Sequence, residues 1–191
     1  MIIGFQSVPF MAMLAIIAAT LVRGVAIRRA TGDRPWAFAS AKGMQRIAGS
    51  SFAPSVGALI AAAVLAPARG SNWAIPAAIL AAIGAAVVIV AQMQMGRAWR
   101  VGVREGDAPL FVSHGLFRFS RNPIFAGMML VGLSASLVSG TWWSWVALAI
   151  FIASCAVQVR IEEAHLEASF GQSYREFRAS VPRWLGFRTS G

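Results

Sequence analysis

The chain alternates between long apolar stretches and short connections that carry most of its charged residues. Five stretches are apolar enough to lie in a bilayer: Val8 to Ala26, Phe52 to Ala68, Trp73 to Met95, Ile124 to Val138 and Trp142 to Val159. About 20 apolar helical residues, within a usual range of roughly 17 to 25, span the hydrocarbon core of a membrane. The fourth stretch is short and borders on a hairpin that enters only half of the bilayer. The pattern predicts an all-α polytopic membrane protein with about five transmembrane helices.

Residues that end helices mark two boundaries in the carboxyl-terminal half. Ser139-Gly140-Thr141 predicts a tight turn between the fourth and fifth stretches. The three tryptophans that follow this turn lie where an interfacial aromatic belt forms. Residues 159–170 continue as a charged helix, and Gly171 predicts its end.

The composition supports a membrane protein and gives little reason to expect a metal site. Charged residues make up 13% of the chain, against about 25% in a typical soluble domain. The lone Cys155 excludes a disulfide within one chain, and no Cys/His cluster has metal-ligand spacing. We expect one membrane domain, residues 1–191, with three transmembrane helices in residues 1–95 and no bound metal.

The basic residues predict the orientation of this domain. A net charge of +10 could indicate nucleic-acid binding, but the arginines and lysine lie in the connections between apolar stretches. With five spans, all basic residues except Arg69 fall on one side of the membrane. The positive-inside rule makes that side cytoplasmic. We therefore expect an external amino terminus, a cytoplasmic carboxyl terminus and no nucleic-acid partner.

Two polar groups on the basic side are candidates for a ligand site. Arg121-Asn122-Pro123 precedes the fourth stretch, where proline suits the first helical turn, asparagine suits the N-cap and the helix start favours an anion. Arg160 and the adjacent Glu162 and Glu163 follow the fifth stretch. Carboxylates at a membrane boundary are unfavourable unless they are paired or functional. Simple capping and a solvated charged face remain the structural alternatives.

Two further segments on the same side could contact a polar cofactor. The third stretch ends with Gln92 and Gln94, whose amides could equally meet lipid headgroups or neighbouring helices. The semi-apolar stretch around His114 could offer backbone groups to a planar base, although a locally bonded histidine explains His114 equally simply. Together, these residues suit a zwitterionic or cationic cofactor and a lipid-like substrate, but they do not identify a reaction.

The order of these motifs resembles the isoprenylcysteine carboxyl methyltransferase family and the related phospholipid methyltransferases. The resemblance covers about residues 94 to 185. Its motifs are Gly96-Arg97-Ala-Trp99, residues 112–127 around Arg121-Asn122-Pro123, Arg160-Ile-Glu162-Glu163, and Phe170-Gly171-Gln-Ser-Tyr174-Arg-Glu-Phe177. It implies that residues 96–191 form a methyltransferase-like half with a cytoplasmic helical pocket for S-adenosyl-L-methionine.

The resemblance also implies roles for individual residues. The implied cofactor-binding residues are Val112, Ser113, His114, Gly115, Arg118, Arg121, Asn122, Pro123, Phe125 and Glu162. Residues 112–115 would contact the adenine end, while Arg121, Asn122 and Glu162 would surround the amino-acid end. Arg160 and Glu163 would be catalytic and lie nearest the methyl acceptor. The chain departs from the family pattern at Asn122, where histidine is usual, and at Phe125 and Phe177, where tyrosine is usual.

The implied function is methyl transfer from S-adenosyl-L-methionine to a lipophilic acceptor. An isoprenylcysteine-like carboxylate would be oriented by Arg160, whereas a lipid amine or thiol would pass its proton to Glu163. The expected partners are a lipophilic small molecule or prenylated substrate and the membrane lipids. Two alternatives remain open: an NADPH-dependent reductase resembling the sterol reductases, and a non-catalytic membrane lipid-binding protein.

Overall fold

The computed structural model describes residues 4, 7–32, 43–65, 72–96, 99 and 112–186, and it is helical wherever those residues form regular structure. A short 3₁₀ helix, Gly115–Arg118, precedes the fourth α-helix. The described residues form the α-helices α1 (Val8–Thr31), α2 (Gly43–Val64), α3 (Ala74–Met95), α4 (Pro123–Ser139), α5 (Trp142–Phe170) and α6 (Gln172–Ser180). This architecture confirms the all-α polytopic fold. The predicted basic connections within residues 33–42, 97–98 and 100–111 lie outside the described residues.

Within the part of the chain that the structure describes, three helices are long and apolar enough to cross a membrane, and two apolar helices are shorter. The long ones are Val8–Ala30, Ala74–Met95 and Trp142–Phe170, while Gly49–Val64 and Pro123–Ser139 are the shorter pair. With a rise of about 1.5 Å per residue, α4 is roughly 26 Å long, slightly less than the hydrocarbon core of about 30 Å. The short fourth stretch of the sequence is therefore also a short helix in the structure.

Helix α5 is much longer than the apolar stretch that marks it. Its 29 residues make a helix of about 43 Å, which exceeds the hydrocarbon core of about 30 Å. The charged turns after Val159 therefore extend past the apolar layer. Gly140 has a φ of +61° at the turn before α5, and Gly171 has a φ of +53° at its end. The predicted turn and the predicted helix end are both confirmed.

Helix α2 begins before the apolar stretch that marks it. The apolar stretch begins at Phe52, whereas α2 begins at Gly43 and contains Pro54 in its interior. Hydropathy marks the part of a helix that suits lipid, but backbone hydrogen bonding continues through more polar residues. The helix tolerates Pro54 although the ring removes one backbone donor.

Helices α3 and α4 approach each other at two glycines. A Cβ atom at Gly84 would lie 2.6 Å from the carbonyl oxygen of Gly127, and one at Gly127 would lie 2.7 Å from that of Gly84. Small residues at such crossings let backbones come close in a membrane. The hydrophobic core draws residues from all five apolar helices, α1 to α5, and it buries Cys155, as expected for a packing residue.

Side-chain hydrogen bonds join α1 to the end of α3. Gln92 Nε2 donates to Thr20 Oγ1 over 2.9 Å, and Arg23 Nη2 donates to the carbonyl oxygen of Gly96 over 2.6 Å. The arginine thereby satisfies a carbonyl group at the helix terminus, which has no intrahelical donor. We call this end of the bundle, where α3 ends and α4 begins, the polar end.

Candidate functional site

The 3₁₀ helix is fixed to the polar end by the side chain of Gln94. The backbone N–H of Leu116 donates to Gln94 Oε1 over 2.8 Å. Gly115 has a φ of +61°, and the Gln94 amide lies directly against the position that a Cβ atom would occupy. Just before it, Ser113 and His114 are exposed and Val112 is half-buried. The segment predicted to contact a planar base is therefore held by α3 and remains accessible.

Replacing Gly115 with alanine is expected to destabilise the protein more than Gly140→Ala does. Both glycines have a φ of +61°, so both variants carry the same left-handed backbone strain, but a Cβ at Gly140 meets no atom within 4 Å. Gly115→Ala must also displace Gln94 and its hydrogen bond, a further loss of about 1 kcal/mol. Thermal unfolding in detergent measures the difference, and equal shifts in the two variants would contradict the contact with Gln94.

Glu163 lies at the centre of a buried charge cluster. It continues the buried face of α5, four residues after Val159. Its Oε1 atom accepts hydrogen bonds from Arg121 Nε at 3.1 Å and Asn122 Nδ2 at 3.2 Å. The side chains of Arg121 and Glu163 are only 8% and 7% exposed. The start of α4 and the end of α5 are thus joined by an ion pair shielded from solvent.

A second arginine completes this cluster, and the sequence did not predict it. Arg183 donates to Glu163 Oε2 from Nε at 3.1 Å and from Nη2 at 2.8 Å. It belongs to residues 181–186, which follow α6 and which we call the C-terminal strap. The available signal was one arginine among the apolar residues of this strap, and it is weak.

The C-terminal strap is bound to the entry of α4 by backbone groups as well. Arg121 N–H donates to the carbonyl oxygen of Pro182 at 3.0 Å, and Gly186 N–H donates to that of Phe119 at 3.1 Å. The Nη1 atom of Arg121 donates to the carbonyl oxygens of Arg178 and Val181. Arg121 therefore serves both the carboxylate and the backbone of the strap.

The prediction that Asn122 is the N-cap residue of α4 is confirmed, but its side chain does not cap the helix. Asn122 does occupy the N-cap position, and Pro123 follows in the first turn, but no side-chain capping bond forms. The amide Nδ2 instead donates to Glu163 and to the carbonyl oxygen of Arg183, each at 3.2 Å. A cap requires a side-chain oxygen that accepts from the helix start, whereas the Asn122 amide nitrogen acts as a donor to the cluster.

Glu162 and Arg160 lie outside this cluster. In the part of the chain that the structure describes, the half-buried Glu162 accepts a hydrogen bond from Gln158 Nε2 of the same helix at 3.1 Å. Arg160 is exposed. Successive residues of a helix are rotated by about 100°, so Glu163 faces the two arginines and Glu162 faces elsewhere. Of the predicted residues, the structure therefore brings together Arg121, Asn122 and Glu163.

The remaining predicted residues lie around the entry of α4. Pro123 is fully buried, and the half-buried Phe125 packs against the hydrophobic core. Arg118 at the end of the 3₁₀ helix is exposed. Phe125 is thus placed as a core residue, whereas Arg118 is free to meet solvent or lipid headgroups.

Two groups beside the charge cluster have raised pKa values, Arg183 in the C-terminal strap and Tyr174 in α6. The hydrogen bond with Glu163 raises the pKa of Arg183 above its ordinary value. Burial, together with the nearby Glu163 charge, raises the pKa of Tyr174 to about 12. Tyr174 is 1% exposed and therefore stays neutral at physiological pH.

Comparison with known proteins identifies the family. Residues 73–173, just over half of the chain, match the model of a family described as phospholipid methyltransferase. The chain belongs to the phospholipid methyltransferase family. A protein of Haemophilus influenzae described as uncharacterized is 33% identical over 63 residues, which are 32% of this chain and all of that protein. No solved structure matches the chain significantly.

Membership in the phospholipid methyltransferase family confirms the resemblance seen in the sequence and makes this chain a membrane methyltransferase associated with lipids. The matched region contains α3, the 3₁₀ helix, α4 and α5. It therefore includes Arg121, Asn122, Glu162 and Glu163. Helices α1 and α2 and the C-terminal strap with Arg183 lie outside it.

Proposed function

We propose that the protein transfers a methyl group from S-adenosyl-L-methionine to a lipophilic acceptor at the polar end of the bundle. The observation that carries this proposal is the contrast between two adjacent carboxylates. Glu163 is held by Arg121, Asn122 and Arg183, whereas the described partner of Glu162 is Gln158. A half-buried carboxylate that has no arginine partner among the described residues, next to a fixed charge cluster, is suited to bind a cation.

The residues at the polar end fit this cofactor chemically. S-adenosyl-L-methionine carries positive charge on its ammonium and sulfonium groups, and the Glu162 carboxylate offers the complementary charge. Its purine needs hydrogen-bonding groups on an accessible segment, and the exposed Ser113 and His114 lie on such a segment. Glu162 and residues 112–115 are thus the groups that would hold the cofactor. Bound there, it would supply an electrophilic methyl group on sulfur.

The contribution of the protein is orientation more than acid–base chemistry. Methyl transfer needs the acceptor aligned with the methyl group, and good orientation contributes about 7–11 kcal/mol to catalysis. The contacts of Glu163 fix the position of α5 against the entry of α4 and the C-terminal strap. This arrangement favours Glu163 as a positioning residue, because a carboxylate engaged by two guanidinium groups accepts a further proton poorly. A carboxylate acceptor has no proton to lose, whereas an amine acceptor would pass its proton to water at the membrane boundary. In both cases the S–CH3 bond breaks as the new bond to the acceptor forms, and S-adenosylhomocysteine leaves.

The acceptor would approach on the side of Arg160. Arg160 and Glu163 are three residues apart and share a helix face, but Arg160 is exposed. It would orient an anionic group, which is either an isoprenylcysteine-like carboxylate or the phosphate of a lipid amine. Because α5 is longer than the apolar layer is thick, Arg160 would lie at the depth of such groups.

The test is methyl transfer by the Glu162→Gln variant. The purified protein is placed in phospholipid vesicles with S-adenosyl-L-methionine carrying a tritiated methyl group, and the label extracted with the lipids is counted. Glu162→Gln is expected to lower the rate at limiting cofactor by about tenfold or more, because a hydrogen bond to a charged group contributes about 1.5 to 3 kcal/mol.

Glu167→Gln is the matched control, because Glu167 lies on the same helix and pairs with Arg178 on the exposed side. It should retain the wild-type rate, and both variants should unfold at the wild-type temperature. Equal rates for Glu162→Gln and the wild type would contradict the role proposed for Glu162.

A further inference from the structure

A cavity of about 280 Å³ lies inside the bundle, between α1, α2, α4 and α5. Among the described residues that line it, Thr20 has the one polar side chain, and its hydroxyl oxygen accepts the hydrogen bond from Gln92. An apolar cavity of about 150 Å³ is already large enough to hold a small hydrocarbon. This cavity therefore suits an apolar ligand and offers little to a polar one.

The walls of this cavity come mainly from outside the family region. Eight of its twelve lining residues belong to α1 and α2, and four belong to α4 and α5. The family match begins at residue 73, after α2 has ended. The first two helices of this chain thus enclose a space against the helices that form the family core.

The cavity opens toward lipid along α1. Ile17 and Leu21 line it and are 40% and 53% exposed, whereas Leu59 and Phe151, which line its inner side, are each 2% exposed. In a transmembrane bundle, the surroundings of an exposed α1 face are the hydrocarbon chains of the bilayer. A chain can therefore enter from the side without crossing a polar layer.

The cavity lies at a depth that a lipid chain reaches from the polar end. Phe151 precedes Glu163 by twelve residues on α5, which corresponds to about 18 Å. Met128 follows Asn122 by six residues, or about 9 Å along α4. At the end nearer the site, Thr20 is bonded to Gln92, two residues before the Gln94 that holds the 3₁₀ helix. The space between about 9 and 18 Å from the charge cluster is thus apolar and continuous with the bilayer.

We infer that this cavity binds one fatty-acyl chain of the phospholipid that receives the methyl group, and that α1 and α2 thereby select the acceptor by its chain. The inference rests on the proposed function and adds the position of the acceptor's tail. A phospholipid is the occupant because its headgroup lies at the membrane boundary, where Arg160 is, while its chain extends inward by the required distance. The volume admits part of a single chain.

The test uses a phosphatidylethanolamine whose palmitoyl chain carries a terminal diazirine, mixed into phosphatidylcholine vesicles with the full-length protein. After illumination, mass spectrometry locates the crosslinked residues. We expect crosslinks to the cavity walls on α1, α2 and α4. Ile16→Trp and Val56→Phe fill the cavity from two different helices and should each lower this labelling by about tenfold.

Leu14→Trp is the matched control for Ile16→Trp. Leu14 is on the same helix, is 43% exposed and does not line the cavity, so its replacement should leave the labelling unchanged. The two cavity-filling variants should also raise the KM for the lipid without changing the affinity for S-adenosylhomocysteine. Thermal unfolding of each variant verifies that labelling is compared between folded proteins.

Two results would overturn the inference. One is labelling that is equal on the cavity walls and on the outward side of α1, and unaffected by both cavity-filling variants. The other is cavity labelling by a farnesyl-chain diazirine probe but not by the palmitoyl probe. A third outcome distinguishes this inference from the proposed function. If the cavity is labelled but the protein does not bind S-adenosylhomocysteine, the acyl-chain site is supported and its link to methyl transfer is contradicted.

Discussion

Replacing Glu163 with alanine is expected to lower the free energy of unfolding by about 3 to 5 kcal/mol, since breaking a buried ion pair leaves an uncompensated charge. The charge left behind is that of Arg121, whose side chain is 8% exposed. Asn122 and Arg183 lose an acceptor at the same time. The C-terminal strap should consequently detach from the entry of α4.

The matched control is Glu167→Ala, one turn further along α5. The side chains of Glu167 and Arg178 are 31% and 45% exposed, and exposed ion pairs contribute about 0 to 1 kcal/mol. Thermal unfolding in detergent compares the two variants, and limited proteolysis near the carboxyl terminus reports detachment of the strap. Equal destabilisation by both replacements would show that the Glu163 cluster has no special structural role.

Gly127→Ala is expected to destabilise the protein by about 3 kcal/mol, at the upper end of the usual cost of overpacking. The new Cβ atom would lie 2.7 Å from the carbonyl oxygen of Gly84 and 2.8 Å from a methyl carbon of Val88. A backbone oxygen cannot rotate away as a flexible side chain can. Helices α3 and α4 must therefore move apart. Because α3 holds the 3₁₀ helix and Arg121 directly precedes α4, this movement would also disturb the polar end.

Gly57→Ala tests whether this loss comes from the crossing or from glycine replacement in general. Gly57 lies inside α2, and a Cβ there meets no atom within 4 Å. Alanine favours a helix over glycine by about 0.8 to 1 kcal/mol, so this variant should be neutral or stabilised. If the unfolding temperatures of Gly127→Ala and Gly57→Ala shifted in the same direction, the close approach of α3 and α4 would not be the cause of the destabilisation.

Much of the fold could be predicted because lipid imposes a simple pattern on sequence. The apolar stretches locate all five apolar helices, and Gly140 and Gly171 mark two ends that the structure confirms. The start of α2 could not be found in this way. Its first turns precede the apolar stretch, and hydropathy carries no information about how far the backbone hydrogen bonds continue.

The candidate site could be predicted only in part, because long-range packing decides it. The resemblance groups Arg121 and Asn122 with Glu162, whereas in the structure both donate hydrogen bonds to the adjacent Glu163. Which of the two glutamates faces the arginine depends on a rotation of about 100° about the helix axis, which the packing of α5 sets. Arg183 was missed because it is 62 residues from Arg121 and reaches the cluster through the fold of the C-terminal strap.

The central claim is that the polar end binds S-adenosyl-L-methionine, and a calorimetric titration tests it most directly. The wild-type protein in detergent is titrated with S-adenosylhomocysteine and, separately, with NADPH. We predict saturable heat with S-adenosylhomocysteine that is lost in Glu162→Gln, and none with NADPH. Saturable binding of NADPH alone, or no saturable heat with S-adenosylhomocysteine at millimolar concentration in the folded protein, would contradict the account.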